Sequence, residues 1–463
     1  MSDAEPRTRL AHALPGNVRV VCQTLAGAGH QAVAVGGAVR DAILGRTPGD
    51  WDIATSARPE QVMTLFRHTV PTGLAHGTIT IVTGRGEESH VEVTTFRGEG
   101  GYTDARRPDH VTFGVPLVED LARRDLRVNA IAYDPATDTL IDPYHGQVDL
   151  AERRLRAVGP TGNVYDDAVA RFTEDGLRVM RAVRFAATLE FALDPDTERG
   201  IVPALPSLAK VSRERISDEL RKILATRQPS RALAIAERTG ILALILPELV
   251  VGFDAWAAAT RTDRAAAVAR WLARVDAAAP IARLGALVAE LGAPDPVLRR
   301  LDRRAQRTAE AVLRRLKFSN DESGTAGVLV GTAATALVAE WTDGDVRRLL
   351  ADVTRGHAPA AIALWRAERS AGSSTEQAAD QAADQATGLA DRAAAILERH
   401  DALAVNELAV TGKDLLVALD MIPGPALGRL LTVLLERVLG DPALNTREAL
   451  IALARGLELE LAR

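Results

Sequence analysis

Asp50 and Asp52 are the first residues of this chain whose type and spacing could do chemistry. On a strand, residues two apart point the same way, so the two carboxylates would share a face while Trp51 takes the other. Carboxylates a few ångströms apart repel each other unless a cation lies between them. Mg²⁺ binds through one or two carboxylates plus substrate phosphate oxygens, which suits such a pair in a two-metal transfer site. An isolated Asp-x-Asp is more often a solvated loop pair. Here a second signal precedes it: Gly36-Gly37-Ala38-Val39-Arg40-Asp41, straight after the apolar run Val33-Ala34-Val35. Gly36 and Gly37 let the backbone approach a triphosphate, and the helix that follows offers N–H groups and Arg40 to phosphate oxygens. Taken alone, those residues also describe a tight strand-to-helix turn with a surface arginine. Glu92, a charge inside the run Val91–Phe96, is either a third carboxylate or an exposed edge-strand residue.

The elements that must position these groups divide the chain sharply. Strand character is confined to about residues 30–145: Val33–Val35, Asp52–Thr55, Thr78–Val82, Val91–Phe96 and a last run near Ile131–Tyr133, with a helix at 59–67 begun by Pro59. From about 150 onward the pattern is helical, with Pro and Gly breaks near 203–206, 247–252, 291–296 and 356–359. The expected fold class is therefore α+β, an α/β head followed by an all-helical remainder. The expected segments are an N-terminal helix (1–29), the head (30–148), and helical blocks at 149–250, 251–370 and 389–463. A low-complexity linker at 371–388 separates the last two.

Composition narrows the function classes. The 463 residues contain 47% hydrophobic and 25% charged residues, ordinary for a core-forming protein of about three or four domains. The net charge of −5 makes any polyanion site a local arginine patch rather than a whole-protein field. One cysteine, Cys22, excludes an intrachain disulfide framework and a cysteine zinc site. With no apolar run long enough to span a bilayer and no signal-peptide pattern, the chain reads as cytoplasmic and without a membrane partner.

Further blocks bring a family into view. Asp50-Trp51-Asp52-Ile53-Ala54-Thr55-Ser56, His76-Gly77-Thr78 and Glu92-Val93-Thr94-Thr95-Phe96-Arg97 are followed by Arg123-Arg124-Asp125 with Asn129-Ala130, then Glu174-Asp175-Gly176-Leu177-Arg178. Together with the glycine block, in this order, the chain resembles the bacterial tRNA nucleotidyltransferase and poly(A) polymerase family over about residues 30–250. The resemblance implies a head like that of DNA polymerase beta, with helical neck, body and tRNA-binding tail. It implies template-independent addition of C, C and A to the tRNA 3′ end from CTP and ATP, with Asp50 and Asp52 on Mg²⁺, aided by Glu92. Gly36, Gly37, Arg40, Arg124, Asp125, Asn129 and Arg181 would surround the nucleotide. Asp175 and Arg178 would select the base; read as one helix, they lie roughly 60° apart around its axis. Arg184 matches a further arginine of the family, although three-residue steps carry it roughly to the side opposite Asp175. Where the family pattern has Thr, Arg127 adds a positive charge beside the triphosphate block.

Other features carry two readings each. The Gly- and charge-rich stretch from Phe96 to Pro108 resembles the family's mobile loop, and its composition also fits any surface loop. His76 is read as structural, because nucleotidyl transfer needs positioning and charge neutralisation more than a proton shuttle. The basic stretch Leu298–Lys317 is a tRNA backbone contact or the solvated face of an amphipathic helix. Thr411–Leu415 and Pro423–Gly428 resemble the family's tail. CC-only addition, A-only addition, poly(A) synthesis, and an RNA-binding protein with an inactive head remain the alternatives.

Overall fold

The apolar runs of the first third pair into a seven-stranded mixed sheet. In this computed structural model the strands are β1 (Ala32–Val35), β2 (Asp52–Thr55), β3 (Thr69–Gly73), β4 (Thr78–Val82), β5 (His90–Thr95), β8 (Ala132–Asp134) and β9 (Thr139–Ile141), ordered β3-β4-β5-β2-β1-β8-β9. Between them β6 (Arg97–Gly100) and β7 (His110–Phe113) form a separate hairpin. The described residues are 4–86, 89–100, 110–292, 299–333, 340–371 and 378–461. The tip of the expected mobile loop lies outside them.

β1 is buried along its whole length, which is why it reads as a continuous apolar run. Val33 and Val35 pack with Ala54, Phe96, Leu121 and Ala132 in the core of this unit. β1 and β2 run antiparallel with Val35 opposite Asp52, while β2 and β5 run parallel with Asp52 opposite Glu92. Helices α1 (Ala4–Ala13) and α2 (Gly16–Gly27), broken at Pro15, replace the single N-terminal helix expected. α3 (Gly37–Ile43) follows the glycine turn, and α4 (Pro59–Leu65) begins at Pro59 as read from the sequence. α5 (Leu117–Ala122) and α6 (Gly146–Glu152) complete the head.

The same compact unit, Met1–Thr226 with Arg231–Ile245, continues through α7 (Val164–Glu174), α8 (Leu177–Leu189), α9 (Pro195–Arg199), α10 (Ile201–Ala209) and α11 (Arg213–Leu224). The break expected near 203–206 does not occur: α10 runs through both prolines. Pro203 sits in the first turn, where its missing N–H costs nothing, and Pro206 leaves open only the carbonyl of Val202, a residue 54% exposed. By contrast α7 ends at Glu174, whereas the sequence suggested one helix through Arg178. The break is at Asp175, whose backbone is extended (φ −130°, ψ 106°) and whose Oδ1 accepts the Leu177 N–H; next to it only glycine fits, since a Cβ on Gly176 would lie 2.4 Å from the backbone of Ser207 and Leu208.

The second unit, Arg227–Ser230 with Leu246–Arg463, is helical throughout its described residues. Trp256, Trp271 and Trp365 are fully buried in it. Beside them Arg274, also fully buried, donates to Glu368 (2.6 Å) and to Glu290, and Arg270 reaches the same two carboxylates (2.8 and 3.1 Å). Two cations against two anions leave the cluster neutral, which is the condition for burying them. Part of the expected linker is helical, since one helix covers Ala378–Glu398; residues 372–377 are outside the described set. Near the C-terminus Leu415, Leu430, Leu434, Val438 and Leu450 form a separate core cluster. No helix among the described residues is long and apolar enough to cross a membrane.

Candidate active site

The β1–β2 pairing brings the two signals of the sequence together. Gly36 follows Val35 directly, and Val35 faces Asp52, so the glycine turn and the carboxylate meet at one end of the sheet. Gly36 has φ 83° and ψ −137°, a backbone region that only glycine enters without strain. A Cβ there would stand 2.9 Å from Arg124 Nη1 and 3.9 Å from Asp52 Oδ2.

Asp52 opens β2, and its acidic neighbour on the sheet is Glu92 of β5 rather than Asp50. In-register residues of adjacent strands project from the same face, so Glu92 stands beside Asp52. Asp50 precedes the strand in an exposed bend and does not line the cavity, so the shared strand face read from the sequence is not how this pair is arranged. Its charge is nevertheless felt: enclosure by protein raises the Asp52 carboxyl above its ordinary value, Arg124 opposes this, and Glu92 and Asp50 add to it. A carboxylate whose ionisation is made costly by an acidic neighbour belongs to a donor set suited to a divalent cation, which would remove that repulsion.

A cavity of about 800 Å³ opens from this edge, enough for a nucleotide. Its wall carries seven arginines (40, 97, 123, 124, 178, 181 and 215) against five carboxylates, Asp52, Glu92, Asp120, Asp125 and Asp175. That excess of positive charge favours a polyanion. Most carboxylates other than Asp52 and Glu92 are engaged in holding arginines. Arg40, only 6% exposed, donates through Nε and Nη2 to Asp41 (2.8 and 2.9 Å) and through Nη1 to Asn129 (2.7 Å). Asp120 receives Arg123 at 2.9 Å and Arg124 at 3.7 Å. Burial, then the charge of Arg123, lowers the Arg124 pKa, while Asp120, Asp52 and Asp125 support its charged form.

Asp125 and Asn129 belong to the cavity, as the sequence suggested, and they work as braces. Buried Asp125 accepts from Asn129 Nδ2 (2.9 Å) and from Arg181 Nε and Nη2 (2.7 and 2.6 Å). Burial alone would raise its carboxyl; the charge of Arg181 and these hydrogen bonds prevail and hold it well below the usual carboxylate range. Arg127 corrects an expectation: its Nε donates to the Ala157 carbonyl (3.3 Å) and it does not line the cavity, so it adds no charge beside the glycine block.

Asp175 and Arg178 both line the cavity, although they straddle the α7–α8 break. Asp175 Oδ1 accepts the Leu177 N–H (3.0 Å) and Oδ2 accepts Arg215 Nη2 (3.2 Å). Arg178, 8% exposed, donates to Glu174 (2.7 Å) and to the Arg171 carbonyl (3.1 Å). Both side chains are thus held by protein partners in the wall. Arg184 is not on the cavity wall: it faces Glu219, which accepts from its Nε at 2.6 Å. His76 stands at the cavity edge, and its carbonyl accepts Arg97 Nη1 at 2.6 Å. Sequence reasoning missed Arg215, Asp120 and Phe185. On α11 the alternation of charge around Arg215 looks like a solvated face; only the packing of α11 on α8 turns it inward.

A mixed sheet with a glycine turn, neighbouring acidic residues and an arginine-lined cavity closed by helices is the architecture of a nucleotidyltransferase. Residues 32–156 match the Poly A polymerase head domain, 190–251 the probable RNA and SrmB-binding site of polymerase A, and 301–454 the putative tRNA nucleotidyltransferase domain 2. The CCA-adding enzyme of Lactococcus lactis subsp. cremoris (strain MG1363) is 34% identical over 93% of this chain and 94% of its own length. The CCA-adding enzyme of Geobacillus stearothermophilus is 48% identical over a segment covering 49% of this chain, which spans about half that relative (53%). The crystal structure of the Bacillus stearothermophilus CCA-adding enzyme in complex with CTP aligns with a TM-score of 0.67 at 31% identity, over 97% of this chain and 99% of that one. The chain belongs to the tRNA nucleotidyltransferase and poly(A) polymerase family, with CCA-adding enzymes as its relatives.

Proposed function

We propose that this protein adds C, C and A to the 3′ end of tRNA from CTP and ATP in the cytoplasm, releasing pyrophosphate. The observation that carries the reading is the single cavity wall shared by the Asp52–Glu92 carboxylates and the Asp175–Arg178 pair, joined by arginines suited to a triphosphate. Asp52 and Glu92, with Asp50 flanking them, would hold divalent ions, for which we propose Mg²⁺. Bound there, the ions would lower the charge cost of in-line displacement at the α-phosphorus.

The protein's own groups carry the rest. Arg40, Arg124 and Arg181 orient the triphosphate by charge-assisted hydrogen bonds, and Gly36 and Gly37 let it lie close to the backbone. Asp125 and Asn129 hold Arg181 and Arg40 in place. The cytosine and adenine edges each offer an amino donor beside a ring-nitrogen acceptor, which an Asp acceptor and an Arg donor complement. Exchanging the Arg215 and Glu174 contacts of this pair for the base would make selection a trade of hydrogen bonds. Arg184 belongs to the support of this wall.

For tRNA, the helix Arg303–Arg315 exposes Arg303, Arg304, Arg307, Arg314 and Arg315, suited to backbone phosphates, although Arg314 and Arg315 are tied to Glu310 and Glu248. Head, neck, body and tail are proposed as the working divisions, the last two carrying the tRNA. The deciding experiment incubates tRNAs truncated at each 3′ position with CTP, ATP or both. Growth to full CCA is expected; arrest after CC, A transfer only to CC-ended tRNA, or long A tails on unstructured RNA would each refute this reading.

A further inference from the structure

Three arginines converge on one aromatic ring. The Phe185 centroid lies 5.3 Å from Arg40 Cζ, 5.4 Å from Arg181 Cζ and 4.3 Å from Arg184 Cζ. The ring is 7% exposed and forms part of the cavity wall. Each guanidinium has a carboxylate as well: Arg40 has Asp41, Arg181 has Asp125 and Arg184 has Glu219. An ion pair fixes one edge of a guanidinium and leaves it able to pivot about that edge. Arg40 has a further hold in Asn129 Oδ1 at 2.7 Å, and the nearly apolar ring limits the motion left to all three. Three like charges within reach of one another also repel, and the electron-rich face of a ring offsets part of that cost.

The geometry has a further consequence, because the arginines come from two places. Arg40 sits on α3, directly after the glycine turn, whereas Arg181 sits on α8, one turn from Arg178. Phe185 is where the triphosphate side and the base-selecting side of the cavity touch the same object. We propose that Phe185 is a positioning residue whose π face registers Arg40 against Arg181, so that both reach one nucleoside triphosphate. The proposal rests on the nucleotidyl-transfer reading above and names a residue that makes it work.

The test replaces Phe185 with mono-, di- and trifluorophenylalanine in the full chain, which drains the ring's charge at nearly constant volume. CTP affinity by calorimetry and KM for CTP and ATP should weaken stepwise, reaching about tenfold at the trifluoro ring. kcat should hold nearly constant along the series while Tm falls modestly with the lost cation–π attraction, and Phe185→Tyr should behave as wild type. Phe185→Leu should weaken CTP binding at least as much as the trifluoro ring. A flat affinity series would overturn the proposal, since the ring would then act by volume alone. Turnover that fails while CTP affinity still follows the series counts against the transfer reading and not against the ring. Absence of CTP binding to the unsubstituted chain overturns both.

Discussion

Gly36→Ala and Gly37→Ala alter neighbouring residues by the same methyl group, yet the first should destabilise the protein and the second should leave its stability almost unchanged. At Gly36 the backbone lies at φ 83°, ψ −137°, where an alanine carries about 1–3 kcal/mol of strain. Its Cβ would also stand 2.9 Å from Arg124 Nη1. That guanidinium is held only loosely, by the Asn129 carbonyl at 3.4 Å and Asp120 at 3.7 Å, so displacing it adds about 1 kcal/mol. The sum, about 2–4 kcal/mol, corresponds to roughly 5–15 °C in Tm for a unit of this size. Displacement of Arg124 should also lower kcat/KM for CTP by about tenfold or more, the loss of one charge-assisted contact. At Gly37 the nearest atom to a new Cβ is Arg40 Nη2 at 3.6 Å, ordinary contact, and the residue opens a helix. Gly37→Ala should therefore melt within about 1–2 °C of wild type, alanine being the better helix former. Differential scanning calorimetry and CTP incorporation, run on both variants, test the reasoning. A Gly36→Ala protein as stable as wild type would refute it, because neither the strain nor the contact would then exist.

Asp52→Asn should abolish incorporation and yet raise Tm at neutral pH without divalent ions. The folded-state carboxyl is raised above 3.8, so stability is lost as pH rises from that value through the folded pKa. Asparagine escapes this loss, and the gap between the two melting curves should close below pH 4 or on adding Mg²⁺ to wild type. Replacing Asp175 or Arg178 by Ala should blur the choice of CTP and ATP over UTP and GTP, measured by competing incorporation; unchanged discrimination would remove the pair from base selection. Arg274→Met should cost about 3–5 kcal/mol in urea unfolding, because Arg270 alone is then left against both Glu290 and Glu368. Adding Glu290→Gln and Glu368→Gln to that variant should recover much of the loss.

What the sequence disclosed followed from locality. β1, β2, β4 and β5 are apolar or alternating runs whose partners need not be known to recognise them, and the glycine pair announces its own turn. β3, β9 and the β6–β7 hairpin escaped because they are short and mix polar with apolar residues without a clear period, and only pairing makes them strands. The Asp175–Arg178 spacing reads as one helix, since spacing alone does not reveal that Asp175 leaves the helical region and accepts the first N–H of the next helix. Asp50 was read onto a strand that starts two residues later. Arg215, Asp120 and Phe185 gain their places from packing between helices, for which an amphipathic pattern carries no address.

The parallel pairing of β2 with β5 also governs how the protein comes to have an active site during folding. Asp52 and Glu92 are set side by side only when two strands separated by the whole β3–β4 segment close on each other. Such a non-local closure is slow compared with helix formation, and the helices outnumber the strands. A refolding chain will therefore recover most of its helical signal while its carboxylates are still far apart. A nascent chain likewise has no acidic site until residue 95 has emerged and docked.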